Sequence, residues 1–223
     1  HDDVLGSDHC PVELELVEGR QAALHDAAVA LLDDGIGLGL SLETKAARGQ
    51  RLLDGRGPEP VKADRPEIPE DATVEEAFGR IVLSCLAQIL ANEAASRDGG
   101  DPEGVHQMRV GVRRLRSAFT VFGKVLPPDQ TGPIKDDLKW LFARLGDARD
   151  IDVFLAETLN DIAESTQEED LALDRLRLAG EAVQAQSYAD LRTLLDDPRY
   201  TRLLLTLSRW VAERSWRDQP VSE

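Results

Sequence analysis

From residue 105 to residue 124 the chain reads VHQMRVGVRRLRSAFTVFGK, and its cationic side chains fall at helical spacing. His106, Arg109, Arg113 and Arg116 recur at intervals of 3, 4 and 3, and Thr120 and Lys124 continue the row, Lys124 slightly off the line. On a helix such neighbours stand one turn apart, about 5 to 6 Å between Cβ atoms, and like charges there repel by a few tenths of a kcal/mol per pair. No Asp or Glu lies between Val105 and Pro128 to offset them. Either acidic helices elsewhere neutralise this row or a bound anion does. Guanidinium groups grip phosphate through paired N–H contacts, and ammonium groups act as point charges. The chemistry on offer is capture of a multiply charged anion. Arg114 lies off the row and is expected to be solvated or paired.

A second row follows. Lys135, Lys139, Phe142, Gly146 and Arg149 are spaced 4, 3, 4 and 3, beside an apolar seam of Ile134, Leu138, Leu141 and Leu145. The first row has its own seam: Val105, Met108, Val112, Leu115, Phe119, Phe122 and Leu126, at strict 3 and 4 spacing. Two antiparallel helices packed by these seams would set both rows along one groove. Phosphates in a linear polyphosphate sit closer together than one helical turn, so such a chain could pair with many of these side chains at once.

The bulk numbers frame this local signal. The 223 residues allow one or two domains. They are 42% hydrophobic and 30% charged with only 4% aromatic residues, a composition that favours helices. The net charge is −16, yet residues 105–149 hold nine Lys or Arg against four Asp, a local balance of +5. An acidic whole argues against nucleic acid as the partner, and on the first row no aromatics interleave the basic residues for base stacking. No apolar run approaches the roughly 20 residues a membrane span needs, and no signal peptide is visible. Cys10 and Cys85 lie far apart without metal-like spacing, which predicts reduced thiols and a cytoplasmic protein. The chain opens on His1 rather than Met, which suggests a piece of something longer.

Along the chain, CPVELELV at residues 10–17 alternates apolar and acidic residues, predicting a strand with Glu13 and Glu15 on one face. A helix is expected over Gln21–Leu32, a second strand over Gly37–Glu43 and a short basic helix over Thr44–Leu53. Residues 1–55 thus read as a small α/β remnant of a larger domain. Residues 56–72, with four prolines and many charges, read as a linker. From residue 73 to 223 everything reads as helix. Thr73 and Glu76 form a capping box for a helix running to about Arg97. Asp101 and Pro102 start a second, ending before Pro127. Pro133 starts a third, which continues bent or broken to about Ala163. A fourth spans roughly Glu168 to Leu195, and Asp197–Pro198 starts a fifth, ending near Arg217. The fold class is mainly α, an antiparallel helical bundle preceded by the α/β remnant.

VHQMRVGVRRLRSAF resembles the opening signature of the CHAD family, the conserved histidine α-helical domain: a His, an Arg at the third position after it, then RRLR. LKWLFARLGDARDIDVFL is similar to the family's second helical block, with its Leu-Gly-x-x-Arg-Asp core at Leu145, Gly146, Arg149 and Asp150. The resemblance covers residues 73–223. It implies a bundle of two similar halves around a basic pore, binding of inorganic polyphosphate rather than catalysis, and no cofactor. The binding role carries to His106, Arg109, Arg113 and Arg116, and extends to Arg114, Lys124, Lys135, Lys139 and Arg149. A second His/Arg/Lys block does not follow before Glu223, so the sequence holds the first half, and pairing of two chains in a homodimer is one way to supply the other.

The N-terminal piece, CPVELELVEG with LSLETKAARGQRLL, resembles the end of a CYTH domain, a triphosphate tunnel metalloenzyme. In that family alternating strand glutamates hold a divalent metal while Lys and Arg bind phosphate. Glu13 and Glu15 match the glutamates, Lys45 and Arg48 the basic positions; the family's N-terminal Glu-rich strand is missing. Three readings follow: a non-catalytic polyphosphate binder, located in the cytoplasm and with polyphosphate granules; a metal-dependent inorganic triphosphatase; and a helical scaffold whose basic groove docks an acidic protein partner. An anionic neighbour favours the charged imidazole of His106, so the first reading predicts tighter binding near pH 6 than near pH 8.

Overall fold

Thr73 starts the first long helix as its sequence requires. Its hydroxyl accepts the Glu76 backbone N–H at 3.3 Å, and Glu76 Oε2 accepts the Thr73 N–H at 3.0 Å. Two donors that a bare helix start leaves unpaired are thereby satisfied. The computed structural model describes residues 12–165 and 171–217. Its helices are α1 (Ala22–Asp33), α2 (Lys45–Leu53), α3 (Val74–Ala91), α4 (Glu93–Asp98), α5 (Glu103–Val121), α6 (Pro128–Val153), α7 (Leu159–Ser165), α8 (Leu171–Asp196) and α9 (Pro198–Glu213).

Most boundaries follow local chemistry. The helix opened by Thr73 breaks at Asn92 into α3 and α4, and Gly99, at φ 74°, ends α4 in the left-handed region that glycine adopts without strain. Asp101 Oδ1 accepts the Glu103 N–H at 2.8 Å and caps α5. The third helix begins five residues earlier than expected: Pro128 takes the first position, and the helix carries Pro133 in its second turn. The expected bend is a π-helical turn, Phe154–Thr158, leading into α7. Gly180 of α8 fits against it, since a Cβ there would lie 2.6 Å from Leu155 Cδ2. The expected start of the fourth helix lies outside the described residues.

The core forms where α3, α5, α6, α8 and α9 meet. Both seams read from the sequence are in it. Val105, Met108, Val112, Leu115, Leu138, Leu141 and Leu145 are all fully buried, and of the remainder only Phe122 is half-exposed. The α3–α5 crossing is close because residue 111 is Gly: a Cβ there would sit 2.9 Å from Ile89 Cγ1 and 3.3 Å from the Cys85 carbonyl oxygen. At one end Phe78, Phe119, Phe122, Trp210 and Trp216 stack edge to face and face to face. Cys85 is buried as a free thiol; Cys10 lies outside the described residues.

The linker is a strap. Residues 56–72 have no helix or strand beyond a terminal turn, as expected, but they run antiparallel along α3 and bond to it. Asn92, fully buried, accepts the Val61 N–H through Oδ1 and donates through Nδ2 to the Val61 carbonyl, both at 2.8 Å. Ser84 Oγ donates to the Asp64 carbonyl and Arg80 Nη1 to the Glu67 carbonyl. Asn92 Nδ2 also donates to Gln88 O, so Asn92→Ala leaves the buried Gln88 carbonyl and the part-buried Val61 N–H and carbonyl without this partner. At about 1 to 3 kcal/mol per unsatisfied group, the variant is expected to lose about 2 to 4 kcal/mol in urea unfolding.

The N-terminal region differs from expectation. Residues 12–17 and 37–43 form no strand, and among the described residues there is no strand at all. Alternating residues predict a strand only where a partner strand exists, and two short segments cannot hold a sheet alone. Instead α1 docks on α9. His25 Nε2 lies 3.2 Å from Ser208 Oγ, Asp26 pairs with Arg209, Asp33 with Arg202 and Arg20 with Glu213, while Thr201 Oγ1 donates to the Leu38 carbonyl. Arg209 and Arg20 hold the Glu213 carboxyl below its ordinary range. Among the described residues no helix is long and apolar enough to cross a membrane.

Candidate anion-binding site

The short connection from Phe122 to Pro127 turns α6 back antiparallel to α5. The end of α6 therefore meets the start of α5. His106, Arg109 and Arg116 are half-buried and Arg113 is exposed on the outer side of α5. The chain reaches across to α6 at Arg109, whose Nη1 donates to the Phe142 carbonyl at 3.2 Å and whose Cζ lies 4.1 Å from the Phe142 ring centroid. Arg116, two turns further on, leans back along α5, as helical side chains do. Its Cζ lies 4.6 Å from the same centroid. Lys135 and Lys139 are exposed on this side of α6, two turns and one turn before Phe142.

Gly146 makes the room. A Cβ on it would stand 2.7 Å from Arg109 Nη1. The obstacle would be the free end of a flexible side chain, so Gly146→Ala should fold, with helix propensity improved by about 0.5 to 1 kcal/mol. Arg109 would have to leave its seat. The expected result is an unchanged or higher melting temperature with anion affinity lowered about threefold to tenfold, as one charge-assisted contact weakens; thermal unfolding and titration on one sample check it.

At the far end of α6, Arg149 is half-buried and its charge reaches the Tyr188 hydroxyl of α8, as does that of Asp101 just before α5. Burial, then Asp152, push the Tyr188 hydroxyl far above its ordinary range, so it stays protonated and donates to Asp152 Oδ2 at 3.0 Å. Gln184 Nε2 donates to Asp152 Oδ1 at 2.8 Å. This buried carboxylate fixes the end of α6 that carries Arg149.

The row is short of carboxylate partners, a trait it shares with other cations of the chain such as Arg80, Arg114 and Arg214. Ten cations of the described residues sit within 4 Å of a carboxylate: Lys45 and Arg20, 51, 56, 97, 144, 199, 202, 209 and 217. None of His106, Arg109, Arg113, Arg116, Lys124, Lys135, Lys139 or Arg149 does. Acids on α6 turn elsewhere, Asp137 to Arg199 and Asp147 to Arg144.

Arg114 stands apart from the others. It faces α3, where Nη1 donates to Gln88 Oε1 at 2.7 Å and Nη2 to Ser84 Oγ at 3.2 Å. Gln88 in turn donates to Gln107 Oε1, so Arg114 belongs to a polar network joining α3 and α5 on the side away from Phe142. Glu13 pairs with Lys45 at 3.1 Å, and neither Glu13 nor Glu15 lies on a strand. Among the described residues no three His, Cys, Asp or Glu side chains are placed to hold a metal ion. A cleft of about 730 Å³ lies elsewhere, between the start of α3 and the end of α9, lined by Glu75, Glu76, Arg80, Arg214 and Trp216 among others.

The sequence reading placed Phe142 and Gly146 on the second row without assigning them roles; the signal was the interruption of a cationic row by one ring and one glycine. The Asp152–Tyr188 pair had no local signal, because its partners lie 36 residues apart.

Fold and site together define a helical-bundle domain with cationic side chains on two adjacent helices. The CHAD domain family matches residues 80–223, more than half of the chain, and the chain belongs to that family. It is also similar to the crystal structure of the CHAD domain from the plant Ricinus communis, with 41% sequence identity and a TM-score of 0.62. That match covers 70% of this chain and 52% of the other, so this chain spans about half the length of that relative. No curated protein matches.

Proposed function

We propose that this chain binds inorganic polyphosphate without catalysis, along the groove between α5 and α6. The observation that supports the reading is that His106, Arg109, Arg113, Arg116, Lys124, Lys135, Lys139 and Arg149 follow one another on or beside two adjacent helices of a chain of net charge −16, and among the described residues none of them has a carboxylate within 4 Å. An acidic fold that leaves its cations side by side keeps them for an external counter-charge. The helical part of the row, His106 to Arg116, rises about 15 Å along the α5 axis at 1.5 Å per residue, and Lys124 lies past the end of α5 in the connection to α6. A short oligophosphate can touch only part of the row. Calorimetry should therefore give strong heats with long-chain polyphosphate and affinity at least tenfold weaker with tripolyphosphate. Equal affinity per molecule for the two, or none for either, rejects the reading. A binder of this kind would gather wherever polyphosphate is stored.

The triphosphatase alternative rests on the N-terminal resemblance alone, on Glu13, Glu15, Lys45 and Arg48, and predicts phosphate release from tripolyphosphate with added magnesium or manganese. The scaffold alternative predicts a complex with an acidic protein partner, and competition by polyphosphate separates it from the first reading.

A further inference from the structure

Phe142 interrupts the cationic side of α6 between Lys139 and Gly146, half-buried, with its ring packed against the core. Arg109 and Arg116 reach it from points about 10 Å apart along α5, and both guanidinium carbons lie within 4.6 Å of its centroid. The ring therefore serves as a common contact for two cations that would otherwise repel each other. The negative face of an aromatic ring attracts a cation, and Arg in particular stacks flat on it. A guanidinium lying flat on a ring keeps its N–H edges free.

We propose that Phe142 is a specificity-determining residue of the groove, holding Arg109 and Arg116 as a preset pair of phosphate receptors and denying nucleobases a stacking surface. The inference rests on the polyanion reading and sharpens its ligand class to a linear phosphate polymer without bases. Two consequences support it. Long side chains already ordered on a ring lose less freedom when a phosphate arrives, and Arg109 is further fixed by its bond to the Phe142 carbonyl. Grooves that hold single-stranded nucleic acid present open aromatic faces to successive bases. Here the ring in the groove is covered by guanidinium groups, and the other aromatic residue in this part of α6, Trp140, lies under Arg199 at 4.3 Å.

The test uses the whole chain and three proteins: wild type, Phe142→Leu and Phe142→Tyr. Each is titrated at one salt concentration with long-chain polyphosphate and with oligothymidylate of similar total charge. Wild type is expected to prefer polyphosphate. Phe142→Leu should bind polyphosphate about fivefold to tenfold more weakly, with little change toward the oligonucleotide, so that its preference narrows. Phe142→Tyr, which keeps the ring, should behave as wild type. A Leu variant with undiminished affinity and preference overturns the inference while leaving the polyanion reading standing. A wild type that ignores polyphosphate overturns that reading and this inference with it. Should Phe142→Leu melt early, Arg109→Lys with Arg116→Lys replaces it: charge is kept, flat stacking is lost, and undiminished polyphosphate affinity again overturns the inference.

Discussion

Replacing Arg109 and Arg116 together by Glu should lower affinity for long-chain polyphosphate by roughly 10² to 10⁴-fold while leaving the helical circular dichroism unchanged. Each guanidinium–phosphate contact is charge-assisted, and such contacts contribute about 1.5 to 3 kcal/mol each. Two of them therefore account for about 3 to 6 kcal/mol, before the repulsion that a new carboxylate adds. The fold should tolerate the change because neither residue belongs to the seam: Val105, Met108, Val112 and Leu115, which hold α5 in the core, are fully buried and untouched. The native contacts at risk are Arg109 with the Phe142 carbonyl and both guanidinium groups with the Phe142 ring, so a small drop in melting temperature is expected. Arg202→Glu with Arg209→Glu is the matched control. Those residues pair with Asp33 and Asp26 on α1, so this variant should loosen α1 and leave binding near wild type. If both double variants bind equally well, the groove is not the site.

Salt should act as strongly as mutation. A ligand that neutralises all eight side chains of the row displaces counterions from as many phosphates, and for a single-stranded polyanion the slope of log affinity on log salt is about −0.7 per contact. Eight contacts give a slope near −6, or roughly a thousandfold weakening between about 50 and 200 mM salt. A slope no steeper than about −2 would mean that only two or three cations engage the ligand. Arg109→Glu with Arg116→Glu should also flatten the slope by about 1.4, which separates loss of charge contacts from a general loss of fold.

The helices were legible where spacing is strict and each face has a single purpose. The 3 and 4 intervals from Val105 to Phe119 and from Ile134 to Leu145 mark positions that are buried in the structure. The capping box at Thr73 needed only residues 73–76, and the structure shows both of its bonds. Boundaries failed where two residues competed for one role, as Pro128 and Pro133 did for the start of α6. The expected strand is absent over its described residues, 12–17, because alternation describes half of a pairing and says nothing about the partner. The strap was invisible for a related reason: side chains of Asn92, Ser84 and Arg80 bond to its backbone, and backbone groups carry no residue type to read. At the site, spacing located two cationic rows but not the directions of individual tips. Arg113 and Arg114 are adjacent in sequence, yet Arg113 is exposed while Arg114 bonds to Gln88 and Ser84. That difference depends on which neighbour lies 26 and 30 residues away.

On the proposed reading, the cations of α5 and α6 act together on one ligand. A crystal structure of this chain with polyphosphate bears on it most directly. A continuous phosphate chain between α5 and α6 is expected, in contact with Arg109, Arg116 and at least one of Lys139 and Arg149. Phosphate seated instead in the cleft beside Arg80 and Arg214, or scattered over separate surface arginines with the groove empty, would contradict it.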